Sequence, residues 1–495
     1  MQPTQSVDLF NTIPSNNSQS SSLFSLTSTS NYLNNQSQRL QLSPIDFLCT
    51  YYKEIIPPVT ELLNQKFGQK LEKMTRSELF QQTTNDIQEI LIEKKLLPTT
   101  PNITKYVDIL LADIVGLGIL EPLLSDSNVD EIMVNSHDKI FVEVGGKVKK
   151  TDFRFPSVEN AKGIVTKIIT PLNLRLDASS PNVNAQLPDG SRLSASVAPL
   201  RANNEISITI RKFSSTVEPL SYYAEKYQSQ TKEMVFFLEN AVKSKLSMLI
   251  SGGTGSGKTT LLNSLSMAIP NDERILTVED TLELKLQQDH VEPYQTVPAN
   301  MEGKGAFTTQ QVIIEALRKR PDRIIVGECR GPEIVEMLNA MNTGHEGSLS
   351  TLHANTPSDM IQRAMTMIRS NESTNSLNEI TIYGMLNSAL ALIVQTNRLM
   401  DGSRRVVNIT EVVGVGSDGV KKLQEKGVLT ANSKPEKKLY IQDIFRFKQT
   451  GVDDNNKVHG YFEATGYVPF CLEKMQHAGC DIDESFFKKR ILLEI

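Results

Sequence analysis

Residues Gly252-Gly253-Thr254-Gly255-Ser256-Gly257-Lys258-Thr259 follow the pattern G-x-x-x-x-G-K-[ST], and their surroundings fix what the chain must build around them. The apolar run Leu246 to Ile250 reads as a buried strand. The segment from Lys258 to Ala268 carries Leu261, Leu262, Leu265 and Ala268 at helical spacing. A strand therefore feeds a glycine turn that opens a helix, the unit of an α/β fold. Glycines let backbone N–H groups curl around phosphate oxygens without a Cβ in the way, and the helix N-terminus adds partial positive charge behind them. In such a loop Lys258 reaches the β and γ phosphates and Thr259 offers its hydroxyl to Mg²⁺, with Thr260 beside it. ATP and Mg²⁺ are the cofactors this arrangement calls for.

At 495 residues the chain is too long for one domain; at about 150 residues each, three or so units are expected. A formal charge of −5 and a lack of interleaved basic and aromatic patches argue against a nucleic-acid partner. Cys49, Cys329, Cys471 and Cys480 lie far apart and form no C-x-x-C pair, so neither a zinc ribbon nor a disulfide framework is indicated. No window approaches the roughly 20 apolar residues of a membrane span, and the N-terminus lacks the pattern of an export signal. A soluble protein of a reducing cytoplasm is expected.

Residues 1–41 are rich in Ser, Asn and Gln and are expected to be disordered. Residues 42–117 carry helical patterns, with Ile87, Ile90, Leu91 and Ile92 in one stretch and Val107, Leu110, Leu111, Ile114 and Val115 in another. Pro57, Pro58, Pro98 and Pro101 are expected to divide them into a small bundle. Residues 118–213 switch to strands: Ile140, Val142 and Val144 alternate into Gly145-Gly146 and Val148. Ala185-Gln186-Leu187 turns through Pro188-Asp189-Gly190 to Leu193, Ala195 and Val197, and Ile206, Ile208 and Ile210 form a further strand. This reads as an α+β domain. Residues 214–231, polar and containing Pro219, suit a linker and hinge; residues 232–495 hold the phosphate loop and a C-terminal extension.

Downstream, Asp322 to Glu328 is a β-branched strand ending in an acid, and Arg274 to Glu283 is a second strand with Glu279, Asp280 and Glu283 at its end. In a parallel sheet ligands sit beyond the carboxyl ends of the strands, which brings these acids to the phosphates. Hydrolysis of a γ-phosphate needs a metal and a positioned base for water, so Glu328, Glu279 and Glu283 are all candidates; Glu328 is favoured, with Thr259, Glu279 and Glu328 as candidate metal ligands. His345 and His353 flank a Gly- and Ser-rich stretch; the sequence is not H-E-x-x-H, so zinc is not indicated, and both are candidates for contacting the γ-phosphate.

These segments together resemble the secretion ATPase superfamily of type II and type IV systems and type IV pili, whose signatures are a Walker A loop, an "Asp box", a Walker B strand and a "His box" in this order. Asn300-Met301-Glu302-Gly303-Lys304-Gly305, Ile324 to Gly331 and Met341 to His345 are most similar to the tight-adherence (Flp-type) pilus assembly branch, as are Gly118 to Leu124, Leu187 to Arg192, Thr209 to Phe213 and Asp401 to Arg405. The resemblance spans roughly residues 105 to 475.

It implies an α/β fold: a RecA-like P-loop ATPase domain preceded by a small α+β (PAS-like) domain and an N-terminal helical bundle. It further implies a homohexamer on the inner face of the cytoplasmic membrane, attached through a polytopic inner-membrane platform protein. By motif position, arginines of the smaller domain reach the phosphates; that role falls to Arg192 and Arg211, and more weakly to Arg175. Leu174 stands where the branch usually has a second arginine, and Pro332 replaces a usual glycine. A type II motor is disfavoured by the missing four-cysteine element, and a retraction motor by the missing C-terminal helix motif. Two alternatives remain. One is a type IV secretion ATPase exporting protein or DNA. The other is a scaffold that binds ATP without hydrolysing it, against which the intact Lys258, Thr259, Glu279 and Glu328 argue.

Overall fold

The computed structural model describes residues 42–96, 103–213, 217–297 and 304–495; the Ser/Asn/Gln-rich tail, Pro98, Pro101 and residues 300–303 lie outside them. Two compact units divide the chain, one ending at Ile119 and one running from Leu120 to Ile495.

Among the described residues of the first unit, three α-helices pack on one another: α1 (Pro44–Phe67), α2 (Arg76–Glu93) and α3 (Ile103–Val115). Ser43 opens α1 by accepting a bond from the Asp46 N–H at 3.1 Å, and Thr75 and Glu78 form a reciprocal capping box at the start of α2. Ile55, Val59 and Leu63 on α1, Ile87 and Leu91 on α2, and Val107, Leu110 and Leu111 on α3 are buried at helical spacing. Ile92 instead faces outward, 53% exposed. The expectation that Pro57 and Pro58 break the segment is corrected, because both lie inside α1. Each removes one N–H from the ladder, and the helix accommodates this with a bend upstream at Tyr51 (φ −109°, ψ 16°).

The second unit opens with α4 (Leu120–Ser125) and a six-stranded antiparallel sheet. Its strands are β1 (Val129–Ser136), β2 (Lys139–Val144), β3 (Lys147–Lys150), β4 (Asn182–Gln186), β5 (Arg192–Ser196) and β6 (Ser207–Arg211), in the order β3-β2-β1-β6-β5-β4, with α5 (Val158–Ile169) between β3 and β4. Gly145 and Gly146 take positive φ (56° and 78°), as the two-residue turn between β2 and β3 requires. Ile132, Val134, Ile140, Val142, Leu193, Ala195, Ile208 and Ile210 are buried on one face. On the other face a row of charges crosses the sheet in register: Glu143 opposite Glu131, Glu131 opposite Arg211, and Arg211 opposite Arg192.

The residues expected to form a bare linker, 214–231, instead contain α6 (Leu220–Tyr227). Its Leu220 and Ala224, four apart and both buried, join the core of the larger half beside α7 (Lys232–Lys243). Burial of that face outweighs the polarity of the rest of the segment.

Ten strands then form the large sheet: β7 (Met248–Gly252), β8 (Ile275–Glu279), β9 (Val291–Gln295), β10 (Arg323–Cys329), β11 (Leu349–His353), β12 (Leu392–Arg398), β13 (Arg404–Val415), β14 (Leu439–Val452), β15 (Val458–Ala464) and β16 (Arg490–Glu494). Their order is β16-β15-β14-β13-β12-β7-β11-β10-β8-β9. The block from β12 to β9 is parallel, and β13 to β16 extend it as an antiparallel run. Helices α8 (Lys258–Ser266), α9 (Thr309–Leu317), α10 (Ile334–Asn342), α11 (Pro357–Ser370), α12 (Glu379–Ala389), α13 (Gly416–Glu425) and α14 (Cys471–His477) complete this half. One strand, β11, separates the loop-bearing β7 from the acid-bearing β10, the arrangement of RecA-like ATPase sheets. Every residue of β7 and β8 is buried, as expected for strands covered on both faces.

Candidate functional site

The loop between β7 and α8 is shaped from behind. A Cβ on Gly252 would land on Ser256 Oγ and on the main-chain oxygen of Thr396, so only glycine lets β7 pass. Ser256 turns inward, donating to the Gly253 carbonyl at 2.9 Å and lying 2.9 Å from Thr396 Oγ1. Gly255 and Gly257 take φ of +68° and +94°, the left-handed region that glycine enters without strain. Thr254, Gly255, Gly257, Lys258, Thr259 and Thr260 therefore face a cleft, while Gly252, Gly253 and Ser256 set its rear wall.

Lys258 lies over the loop, its Nζ donating to the carbonyls of Gly252 (3.1 Å) and Gly253 (2.9 Å). Burial pulls its pKa down to about 8; Arg211 and Arg330 act in the same sense, while Glu328 and Glu283 oppose them.

Across the cleft β10 carries a bulge between Val326 and Cys329, which re-aims Glu328 into the space beside the loop. Arg330 Nη2 donates to Glu328 Oε2 at 2.7 Å. The His353 Nε2 lies 3.0 Å from Oε1 but out of line for a hydrogen bond, so that this buried oxygen has no hydrogen-bond partner. Burial raises the Glu328 pKa, but the Arg330 hydrogen bond and the charges of Arg330, His353 and Lys258 together leave it lowered, an ionised acid at neutral pH. His353 Nδ1 sits 3.3 Å from Lys258 Nζ. Burial and the Lys258 charge hold the imidazole pKa down against the pull of Glu328.

Glu279 also borders the cleft, with different chemistry. It accepts from the backbone N–H of Glu283 (2.9 Å) and Leu284 (3.0 Å), and Gly327 leaves room for its side chain. Burial raises its pKa to about 7, although both backbone bonds pull it down. Its oxygens are engaged in shaping the loop after β8, which argues against the expectation that it is a metal ligand. Glu283 pairs with Arg192 at 3.1 Å, and Arg192 Nη2 also donates to the Thr281 carbonyl at 3.2 Å. Arg211 lines the same cleft and, among the described residues, its side chain makes no hydrogen bond or ion pair.

Two candidates fall elsewhere. Arg175 lies 3.9 Å from Asp177 with a 54% exposed side chain, away from the cleft, because the stretch after α5 turns it outward. His345 precedes β11, whose first residue pairs with Met248 and whose last, His353, pairs with Gly252. A strand of five residues, roughly 13 Å long, therefore separates the two histidines, and only His353 reaches the phosphate loop.

Residues not singled out as candidates also join the site. Arg330 follows the end of β10, bonds Glu328 and lies 3.7 Å from Asp280. Arg404 donates from Nε to the Gly255 carbonyl at 2.8 Å across a long sequence gap that no local pattern signals.

The residues present fit Mg²⁺: Thr259 and Glu328 line one cleft, and Glu328 Oε1 makes no hydrogen bond among the described residues. Among the described residues no three acidic, histidine or cysteine side chains cluster as a metal cage. A Mg²⁺ here would take most of its ligands from phosphate and water, as this ion commonly does.

Among known proteins, a putative conjugal transfer protein of Mycobacterium tuberculosis is 32% identical over 307 residues, 61% of this chain and 86% of its own length. The type IV secretion system protein VirB11 of Bartonella henselae is 30% identical over 327 residues, 59% of this chain and 91% of its own. A crystal structure of the VirB11 ATPase from the Brucella suis type IV secretion system, in complex with sulphate, is 27% identical, covers 59% of this chain and 92% of its own, and has a TM-score of 0.33. The family model described as type II/IV secretion system protein matches residues 113–453, well over half of the sequence, and the chain accordingly belongs to the type II/IV secretion system family of ATPases.

Proposed function

We propose that the protein is a motor that hydrolyses ATP to drive assembly of a Tad/Flp-type pilus, or secretion, through an inner-membrane platform. The observation that carries this reading is the meeting, in one cleft, of Lys258 and Thr259 from the large sheet, Glu328 from β10, and Arg192 and Arg211 from the small sheet. Mg²⁺, held by Thr259 and Glu328, would supply charge neutralisation at the phosphates. Lys258 holds the β and γ phosphates. Glu328, ionised at neutral pH, is the favoured group to orient and deprotonate the attacking water; Glu279, whose pKa is raised to about 7, and Glu283 are the alternatives. His353, between Lys258 and Glu328, senses the γ-phosphate. Arg211, and Arg192 once released from Glu283, stabilise the charge developing on the transferred group, for which a guanidinium is well suited.

In this reading the active form is a homohexamer, peripheral at the cytoplasmic face of the membrane through its platform partner. Among the described residues no helix is long and apolar enough to cross a membrane. A second reading, a type IV secretion ATPase exporting protein or DNA, draws support from the named relatives, which are conjugal transfer and VirB11 proteins. The test is Lys258→Ala in the native host, with surface filaments counted by electron microscopy. Loss of filaments assigns pilus assembly. Unchanged filaments, with ATP hydrolysis lost in the purified variant, move the secretion reading to first place.

A further inference from the structure

On β2, next to the edge strand of the small sheet, Glu143 stands between two arginines of the large sheet. Its Oε1 lies 3.4 Å from Arg398 Nη2 and 4.0 Å from Arg404 Nη2. Arg398, at the end of β12, also donates to the carbonyl of Gly146 in the β2–β3 turn. Any side chain at Gly146 would strike that guanidinium at 2.9 Å, so the glycine turn forms a seat for it. Arg404, at the start of β13, donates to the Gly255 carbonyl inside the phosphate loop. A connected path therefore runs from the loop through Arg404 to Glu143 and the β2–β3 turn.

Glu143 is the first member of the register row Glu143, Glu131, Arg211, Arg192. Adjacent strands lie about 4.8 Å apart, so its carboxylate and the Arg192 strand are separated by roughly 14 Å on one rigid surface. The far end of the row is tied down as well, by Arg192 to Glu283 and Thr281. Arg211, between the two anchors, is left facing the cleft. A rotation of the sheet about either anchor would carry Arg211 away from Lys258.

Resting on the ATPase reading above, we propose that the Arg398–Glu143–Arg404 clamp is a positioning device that sets the small sheet over the phosphate loop so that Arg211 and Arg192 address the transferred phosphate. None of the three clamp residues lines the cleft, and among the described residues Glu143 touches the phosphate loop only through Arg404, so a change at Glu143 acts on the reaction through the arginines the sheet carries. A displacement of about 1 Å at such a group is enough to cost a large factor in rate.

The experiment uses the full-length chain and compares wild type, Glu143→Gln, Arg211→Lys and the double variant for steady-state ATP hydrolysis and for equilibrium binding of a fluorescent ATP analogue. Glu143→Gln is expected to lower kcat about tenfold with analogue affinity within twofold of wild type. In the Arg211→Lys background, where one of the two placed guanidiniums is already gone, it is expected to lower kcat less than threefold, because residues acting through one another are non-additive. A kcat within twofold of wild type, or equal fold-losses in both backgrounds, overturns the clamp. Absence of hydrolysis in the wild type overturns the ATPase reading instead. If Glu143→Gln does not fold, Arg398→Lys, which keeps the charge but not the fork geometry, carries the same expectations.

Discussion

Lys258 offers a prediction whose size follows from its surroundings. With a pKa of about 8 set chiefly by burial, half of the molecules carry a neutral amine at pH 8. ATP brings negative charge to within reach of that nitrogen and favours the ammonium. Binding must therefore take up a proton, and affinity falls as pH rises through 8. If only the ammonium form binds, the competent fraction drops from about a half at pH 8 to about a tenth at pH 9. The Kd for ATP should then rise about fivefold, close to 1 kcal/mol, with uptake of about half a proton per ATP at pH 8.

The neighbours leave this window clear. Glu279, raised to about 7, has ionised by its lower edge; His353 and Glu328, both lowered, are already neutral and ionised respectively; and Arg330, raised by its bond to Glu328, stays cationic. Titration calorimetry in two buffers of different ionisation enthalpy measures the affinity and the proton uptake together. Lys258→Arg, which does not titrate in this range, should flatten the dependence. A wild-type Kd constant within twofold from pH 8 to 9, with no proton uptake, would refute the reasoning.

Two further outcomes follow from the geometry. Arg323 is fully buried, pairs with Glu273 through two hydrogen bonds (2.6 and 2.9 Å) and also donates to the carbonyls of Val242 and Gly347; Arg323→Met leaves the buried carboxylate, among the described residues, with Lys245 alone at 3.6 Å. About 3–5 kcal/mol should be lost, a fall in Tm of about 5 °C by circular dichroism, and a shift below 2 °C would contradict it. Gly252→Ala should displace the phosphate loop, because the added methyl meets main chain at Thr396. ATP affinity is expected to fall at least tenfold in the same calorimeter while the far-ultraviolet spectrum is kept; unchanged affinity would show that the loop can shift freely.

Much of the site was written locally. The glycine pattern with its lysine and threonine names the phosphate loop because strand, turn and helix are consecutive in the chain and each has its own short-range signature. The β2–β3 turn was legible for the same reason, since Gly145-Gly146 between alternating residues selects one hairpin geometry. Signals that depend on what packs where were read less well. Leu220 and Ala224 hide a helix in a polar segment, Pro57 and Pro58 sit within a helix whose buried face holds it together, and His345 and His353 look equivalent until β11 sets them at opposite ends of a strand.

The chemistry available was legible in the chain: a phosphate loop, acids at strand ends, and arginines in a separate sheet-forming segment, all encoded within stretches of about ten residues. Which of these groups meet was set by the fold. It engaged Glu279 with backbone N–H groups, left one oxygen of Glu328 without a partner, turned Arg175 outward, and brought Glu143 to Arg398 and Arg404 across more than 250 residues of chain. The physical reason is that desolvation and ion pairing depend on distances in space, which strand order and register fix and which spacing along the chain does not.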